Sequence, residues 1–153
     1  MDIKDIYGKV IYSSKDKTIK KTLERAVSEK ANLEFAYLKN TYLGHANLKF
    51  AYLENACLIY TNLHGANLTN ANIGSADLHG ANLTNANLEN ANLADINLES
   101  ACLANANSYY FSVLKAKSLK GAIIWYGDVE EIEAIKEEYK SELALRGVEF
   151  RKF

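Results

Sequence analysis

A five-residue repeat dominates this chain. The pattern is alanine–asparagine–leucine followed by two variable residues, and it fills fifteen consecutive blocks from Ala31 to Asn105. The central residue is Leu in every block except the one that contains Ile73. The residue two positions earlier is Ala in all but three blocks. A repeat this short and regular sets the shape of the backbone.

Neither a helix nor a flat strand can bury the repeated Leu and Ala together. In an α-helix a step of five residues turns about 140°, so the leucines would point to every side. In a strand the side chains alternate, so successive leucines would point to opposite faces. A chain that bends once per block can point every Leu and Ala inward. The repeat therefore predicts a solenoid with a narrow apolar interior.

The blocks Ala66-Asn67-Leu68, Ala76-Asp77-Leu78 and Ala81-Asn82-Leu83 carry a family resemblance. They resemble the A-(D/N)-L-x-x consensus of the pentapeptide repeat family. The resemblance implies an all-β solenoid, a right-handed quadrilateral β-helix with four blocks per coil. The repeat would then form about four coils, roughly 18 Å long at the ~4.8 Å spacing of strands. It also implies stacked residues twenty apart, including a ladder of Asn47, Asn67, Asn87 and Asn107, whose amides we expect to hydrogen-bond along the column.

The two flanks of the repeat have the character of caps, which a solenoid needs at its open ends. We expect residues 1–30 to form an N-terminal cap, residues 31–107 the solenoid, and residues 108–153 a C-terminal cap. The predicted elements of the caps are a hairpin over 3–12, a helix over 18–29, a strand over 121–126, a helix over 129–146 and an edge strand from 148 to 153.

Composition and charge exclude several classes of protein. No apolar run approaches the ~20 residues that a membrane helix needs, and the start lacks the apolar region of a signal peptide. We therefore expect a cytoplasmic location and no contact with a membrane. The net charge is −1, and no segment is basic enough to indicate direct binding to nucleic acid.

The sequence offers no convincing catalytic or metal site. His45, His64 and His79 fall at outward positions, and two neighbouring histidines without a third ligand make a poor zinc site. Glu34 and Glu54 should stack one coil apart, on a convex surface without a cleft. We expect no catalytic, cofactor-binding or metal-binding residue, no cofactor and no enzymatic activity. The two cysteines, Cys57 and Cys102, map to different faces and should stay unpaired.

Exposed aromatic residues are the candidate protein interface. Six of them occupy outward positions in the first two predicted coils: Phe35, Tyr37, Tyr42, Phe50, Tyr52 and Tyr60. Two interpretations stay open, because residues 1–30 could cover this surface or another molecule could bind it. A second candidate interface contains Trp125 and Tyr126 in the C-terminal cap, where burial against the last coil and homodimerisation are equally compatible with the sequence.

These observations favour a non-enzymatic module that binds or scaffolds an unknown protein partner. The alternative comes from the resemblance: some pentapeptide repeat proteins mimic DNA and inhibit or protect a type II topoisomerase, DNA gyrase. An 18 Å length of DNA carries roughly ten negative charges, whereas the repeat has six acidic residues and two lysines. An enzymatic site built from the irregular flanks and a partner is the third class.

Overall fold

Residues twenty apart are joined by parallel bridges, which define four faces around the column. The computed structural model of the protein describes residues 1–106, 116–126 and 137–152. Four blocks therefore make one coil, as the resemblance implied. Each face has a ladder of bridged residues that are twenty apart in the sequence. The first face carries Asn32, Tyr52, Asn72 and Asn92; the second Tyr37, Cys57, Asp77 and Asn97; the third Tyr42, Asn62, Asn82 and Cys102; and the fourth Asn47, Asn67 and Asn87.

The interior of the column is a stack of leucines with alanines beside them. Every central residue of the fifteen blocks is at most 4% exposed. Thr61 replaces one of the alanines and is fully buried, but its hydroxyl donates to the Leu38 carbonyl at 2.8 Å. Thr41 donates to the same carbonyl at 2.6 Å. The two polar substitutions are therefore compatible with the interior because their hydroxyls are satisfied.

Each block ends in a turn whose third residue has a left-handed backbone. The Leu33 carbonyl accepts a hydrogen bond from the Ala36 amide at 3.0 Å, and Phe35 between them has a φ of +61°. The same position in the other blocks has φ between +53° and +64°. Glycine and asparagine tolerate this conformation best, which explains why they are frequent there.

The asparagine of the repeat closes a turn inside its own block. The Asn62 Oδ1 atom accepts from the His64 amide at 2.9 Å, and Asn82 accepts from the Thr84 amide at 3.0 Å. This Asx turn explains the preference for Asn or Asp before the central Leu.

Our expectation for the fourth-face ladder needs correction. Asn67 and Asn87 use their Oδ1 atoms for the same turn, at 3.0 Å each. Side-chain amides donate between coils on the first and second faces instead. The Asn92 amide donates to Asn72 at 2.8 Å, and the Asn97 amide donates to Asp77 at 2.9 Å. The last member of the predicted ladder, Asn107, lies outside the described residues.

The N-terminal segment pairs with the first coil. Strands β1 (Asp2–Lys4) and β2 (Val10–Ser13) form an antiparallel hairpin. The Tyr37 amide donates to the Lys4 carbonyl at 2.8 Å, and the Ile6 amide donates to the Phe35 carbonyl at 2.9 Å. The hairpin thus continues the hydrogen bonding of the column at its N-terminal end.

Helix α1 (Ile19–Ser28) leads directly into the first block. The side chain of Thr18 caps its N-terminus, and Leu23 and Ala26 are buried. An ion pair holds the preceding loop to the helix, because Arg25 Nε lies 2.7 Å from Asp16 Oδ2. The hydrogen bond from Arg25 lowers the pKa of Asp16 to about 2.

The C-terminal part contains β3 (Ile123–Tyr126), α2 (Glu137–Leu145) and β4 (Glu149–Lys152), with β4 parallel to β3. The predicted helix over 129–146 is described only from residue 137 onwards. Neither of the two helices in the described ranges combines the length and apolar character that a membrane crossing requires.

The ladders of two faces continue past the repeat. Asn97 on the second face bridges to Ser118, and Cys102 on the third face bridges to Ile123, at a step of twenty-one residues. Leu119 and Ala122 are buried at 2% and 0% exposure, in the places of the repeat Leu and Ala. The column therefore continues into the predicted C-terminal cap. The sequence pattern does not show this continuation because one extra residue breaks the twenty-residue step.

Candidate functional site

The candidate aromatic residues occupy two kinds of position in the block. Tyr37, Tyr42 and Tyr52 stand where Asn closes the Asx turn elsewhere. A tyrosine side chain cannot accept that local hydrogen bond, so these blocks lack its contribution. The other three stand at the left-handed corner position, with φ of +61°, +63° and +53° for Phe35, Phe50 and Tyr60. A bulky residue is costly in this conformation.

Five of the six aromatic side chains are exposed. The exposed fractions are 51% for Tyr37, 66% for Tyr42, 58% for Phe50, 53% for Tyr52 and 55% for Tyr60. Phe35 is half-buried, and its ring centroid lies 6.1 Å from that of Tyr7. The interpretation that residues 1–30 cover this surface is therefore wrong for all but Phe35.

The exposed aromatic residues form a belt around the column rather than one patch. Tyr52 lies on the first face, Tyr37 on the second and Tyr42 on the third. Phe50 is at the corner between the fourth and first faces, and Tyr60 at the corner between the second and third. Two groups result, which the linear sequence did not separate: Phe50 with Tyr52, and Tyr37 with Tyr42 and Tyr60.

The second candidate interface is described only in its backbone. Trp125 and Tyr126 are the last two residues of β3, where they pair with Arg151 and Lys152 of β4. Their role in an interface stays a prediction.

A groove beside α1 adjoins the first aromatic group. Its volume is about 610 Å³, and its apolar lining comes from Val27, Phe50 and Tyr52. Its charged lining has both signs and comes from Glu24, Lys30 and Lys49. The ammonium group of Lys49 lies 5.0 Å from the centre of the Phe50 ring, within the range of a cation–π interaction.

The histidines lie on neighbouring coils, as the register predicts. The ring centroids of His45 and His64 are 5.2 Å apart, edge to face. The Tyr60 hydroxyl and His79 Nε2 are 3.1 Å apart, within hydrogen-bonding distance. Within residues 1–106, 116–126 and 137–152, no three His, Cys, Asp or Glu side chains are grouped to hold a metal ion. Cys57 and Cys102 are both free.

Two glycines that sequence reasoning missed make room for these rings. A Cβ atom on Gly80 would lie 2.3 Å from the Tyr60 ring, and one on Gly65 would lie 2.5 Å from the His45 ring. The sequence contains a signal for this arrangement: Gly80 lies twenty residues after Tyr60, and Gly65 lies twenty residues after His45.

The acidic residues of the column are concentrated on two adjoining faces. Five of the six lie on the first face, the second face or the corner between them: Glu34, Glu54, Asp77, Asp95 and Glu99. Three of these, Asp77, Asp95 and Glu99, line an open hollow of about 810 Å³. A count of charges along the sequence does not show this acidic edge. It appears only when the residues are assigned to faces by the twenty-residue step.

The repeat matches a known family model. The model for pentapeptide repeats matches eight copies, over residues 31–70, 46–85 and 76–107. The chain belongs to the pentapeptide repeat family. Members of this family form right-handed quadrilateral β-helices and are generally structural or binding proteins rather than enzymes.

Solved structures similar to this pentapeptide repeat protein are members of the same family. One from the cyanobacterium Cyanothece 51142 is 41% identical, over 57% of this chain and 56% of its own, with a TM-score of 0.47. One from the Arabidopsis thaliana thylakoid lumen is 24% identical, over 72% and 77%, with a TM-score of 0.40. One from Nostoc Pcc 7120 is also 24% identical, over 88% and 96%, with a TM-score of 0.40.

The match to the Cyanothece protein thus spans little more than half of that chain. With all three TM-scores below 0.5, membership of the family rests on the repeat match. The comparison with curated proteins finds no match.

Proposed function

We propose that this pentapeptide repeat protein is a non-enzymatic binding module that presents its exposed aromatic belt to a protein partner in the cytoplasm. One observation carries the proposal: five large aromatic side chains are more than half exposed at positions where the fold favours Asn or Gly. A left-handed backbone costs an ordinary residue about 1–2 kcal/mol. Aromatic residues are enriched at protein interfaces, where they supply much of the binding energy.

The fold permits a test that leaves the column intact. Replacing Tyr37, Tyr42 and Tyr60 with Asn restores two Asx turns and places Asn at a left-handed corner. The matched control replaces Asn85 and Asn90 with Gly, because both are exposed corner residues in the later coils with φ of +58° and +55°. Immobilised wild type, triple variant and control are each incubated with native cytoplasm, and retained proteins are identified by mass spectrometry.

We expect the wild type and the control to retain the same partner, and the triple variant to lose at least about tenfold in retention. A partner that all three proteins retain equally would show that the second aromatic group is not the binding surface. Wild type that retains nothing would remove the proposal.

The non-enzymatic part of the proposal has its own test. Glu34 and Glu54 accept hydrogen bonds from Asn55 and Asn72, at 3.4 and 2.9 Å, on an open face. A carboxylate on such a face has no enclosed site in which to act as a general base. Turnover in a broad activity screen, abolished by Glu54→Gln or His64→Ala, would contradict a purely binding role.

The acidic edge favours a second candidate, a DNA mimic that inhibits or protects DNA gyrase. Its five carboxylates extend from the first coil to the fourth, which is about 14 Å at the spacing of strands. DNA would carry about eight charges over that length. A gyrase supercoiling assay at micromolar protein decides this candidate, with Asp77→Asn, Asp95→Asn and Glu99→Gln combined as the charge-reduced control. Absence of both inhibition and protection by the wild type eliminates it.

The proposal extends to the architecture around the binding surface. It takes the column as about four coils, closed by residues 1–30 at one end. At the other end residues 118–123 continue two faces of the column, and the remainder of residues 108–153, with their helix, closes it. Homodimerisation through Trp125 and Tyr126 belongs to the same proposal. Light scattering of the full chain and of a Trp125→Ala, Tyr126→Ala variant tests the dimer, which we expect the variant to lose.

A further inference from the structure

The third face differs from the other three because its repeat blocks contain no Asp, Glu, Lys or Arg. Each of the other faces has at least two such residues in its blocks. Two of the three histidines of the chain, His45 and His64, belong to the third face. Histidine is the side chain that ordinarily changes its charge between pH 5 and 8. The formal charge of this face near neutral pH therefore depends on these two side chains. Its blocks are residues 41–45, 61–65, 81–85 and 101–105.

His45 and His64 lie on neighbouring coils, and solvent reaches both of them. Their ring centroids are 5.2 Å apart, edge to face. His45 is exposed and His64 is half-buried. Gly65, one coil beyond His45, leaves room for the His45 ring, because a Cβ atom there would lie 2.5 Å from it. Both rings can therefore take up a proton in the free protein, and two like charges then lie side by side.

The charged groups near this pair come from helix α1 and from the fourth face. The Lys20 ammonium group donates to the Gly44 carbonyl at 2.7 Å, next to His45 in the chain. Glu24 accepts from a backbone amide of the fourth face at 2.9 Å. Lys49 is the next charged residue after His45 along the same coil. One carboxylate beside two ammonium groups leaves nothing to neutralise two further positive charges.

His79 differs from the other two histidines because its neighbours in the register are acidic. It belongs to a second-face block, and its backbone amide donates to Asp77 Oδ1 at 3.0 Å. Glu99 occupies the same block position one coil further on. The Nε2 atom of His79 is 3.1 Å from the Tyr60 hydroxyl. Because carboxylates offset a positive charge on His79, this histidine provides a control for the pair on the third face.

Tyr42 connects the two histidines with the second aromatic group. A Cβ atom on Gly44 would lie 3.0 Å from the Tyr42 hydroxyl, so the ring lies along the face above Gly44. Gly44 precedes His45 in the chain, and His64 occupies the same block position as Gly44 one coil further on. A partner that covers the exposed ring of Tyr42 therefore covers both imidazoles as well.

We propose that protons on His45 and His64 regulate binding at the third face, so that the partner binds while both rings are neutral and leaves as they become charged. This inference rests on the proposed function and adds its regulation. The contact surface that matches an uncharged face is itself uncharged. Burying a charged imidazole against such a surface removes its water without supplying a carboxylate in return. The bound state therefore holds fewer protons than the free state, and affinity falls as the pH falls.

Linkage sets the size of the effect. Each proton that must leave on binding weakens the affinity by up to about tenfold per pH unit. Two histidines that titrate between pH 5 and 8 should therefore make binding at least about tenfold weaker at pH 5.5 than at pH 7.5. The ion pair between Asp16 and Arg25 persists over this range, because the pKa of Asp16 is about 2.

Retention at two pH values tests the regulation separately from the binding. Immobilised wild type, the double variant His45→Asn, His64→Thr and the control His79→Gln are loaded with native cytoplasm at pH 7.5 and washed at pH 7.5 or 5.5. Asn85 and Thr84 occupy the corresponding positions in the third coil, so the double substitution is compatible with the fold. The result for each protein is its own ratio of retained partner between the two washes. Circular dichroism at pH 5.5 confirms that all three proteins fold.

We expect a ratio of at least about tenfold for wild type and for His79→Gln, and below about threefold for the double variant. Wild type that retains nothing at pH 7.5 removes the proposed function, and this inference with it. Equal retention by wild type in both washes overturns the regulation alone. The regulation is also overturned if the double variant keeps the wild-type ratio, or if His79→Gln loses it, because the titrating groups then lie elsewhere.

Proton counting tests the same mechanism without any variant. Binding of the purified partner to wild type is measured by calorimetry at pH 6 in two buffers of different ionisation enthalpy. We expect release of about one proton or more per complex, because both histidines must be neutral in the bound state. Uptake of protons, or no exchange with the buffer, would overturn the proposal while leaving the binding itself established.

Discussion

Gly80→Ala gives a specific test of the stacked corners. Gly80 has a φ of +64°, and a Cβ atom on it would lie 2.3 Å from the ring of Tyr60 in the coil below. The substitution therefore has two costs. The left-handed backbone costs an alanine about 1 kcal/mol. Displacing the Tyr60 ring from its rotamer costs about another 1 kcal/mol. We expect the free energy of unfolding to fall by about 2 kcal/mol.

A double-mutant cycle separates these two costs. In a Tyr60→Asn chain the ring is absent, so Gly80→Ala should lower the unfolding free energy by only about 1 kcal/mol, the backbone part. Urea unfolding followed by circular dichroism measures all four proteins, and equal slopes confirm that the comparison is valid. The same loss in both backgrounds would show that Tyr60 does not lie over Gly80, and would refute the stacking of residues twenty apart at this corner.

Three further predictions concern the interior, the turns and the charges. Leu63→Ala should lower the unfolding free energy by about 2–5 kcal/mol in urea, because Leu63 is fully buried; a loss below about 1 kcal/mol would contradict a close-packed column. Asn82→Ala should cost about 1 kcal/mol by the same assay, through loss of its 3.0 Å bond to the Thr84 amide, whereas Asn85→Gly should cost less. Asp16, with its pKa lowered to about 2, stabilises the fold above its unfolded pKa, and this contribution disappears as the pH falls from about 4 to 2. Asp16→Asn should therefore unfold at lower temperature than wild type at pH 7, with the difference shrinking in that acid range; a constant difference would contradict the ion pair.

The repeat made much of the column predictable because each block repeats one physical requirement. Leu and Ala can be buried together only if the chain bends once per block, and the central residues are buried as expected. The family resemblance supplied the twenty-residue step, which the bridges show. That step also predicted the proximity of His45 and His64.

Features that depend on local hydrogen bonds or on an inserted residue were harder to predict. The role of Asn82 as the acceptor in a turn does not follow from periodicity, because an outward Asn could equally bond along the ladder. The continuation at Leu119 and Ala122 was hidden because one extra residue shifts the pattern.

The candidate site was predictable in its residues but not in its arrangement. The outward aromatic residues are easily recognised in the sequence. Because they are close in sequence, they suggested a single patch, whereas the structure places them on different faces. Tyr37 and Tyr52 are fifteen residues apart, which is three blocks, so they lie on different faces. Whether residues 1–30 covered them depended on the path of the hairpin, which contacts Phe35 and leaves the other five exposed.

The most direct test of the aromatic belt measures stability and binding on one protein. The Tyr37→Asn, Tyr42→Asn, Tyr60→Asn variant is unfolded in urea beside the wild type, and each is titrated with the partner that the wild type retains. If these tyrosines serve recognition, the variant should unfold at equal or higher urea concentration and bind at least about tenfold more weakly. A variant that loses more than about 2 kcal/mol of stability, or that keeps its affinity, would show that the tyrosines serve the fold instead.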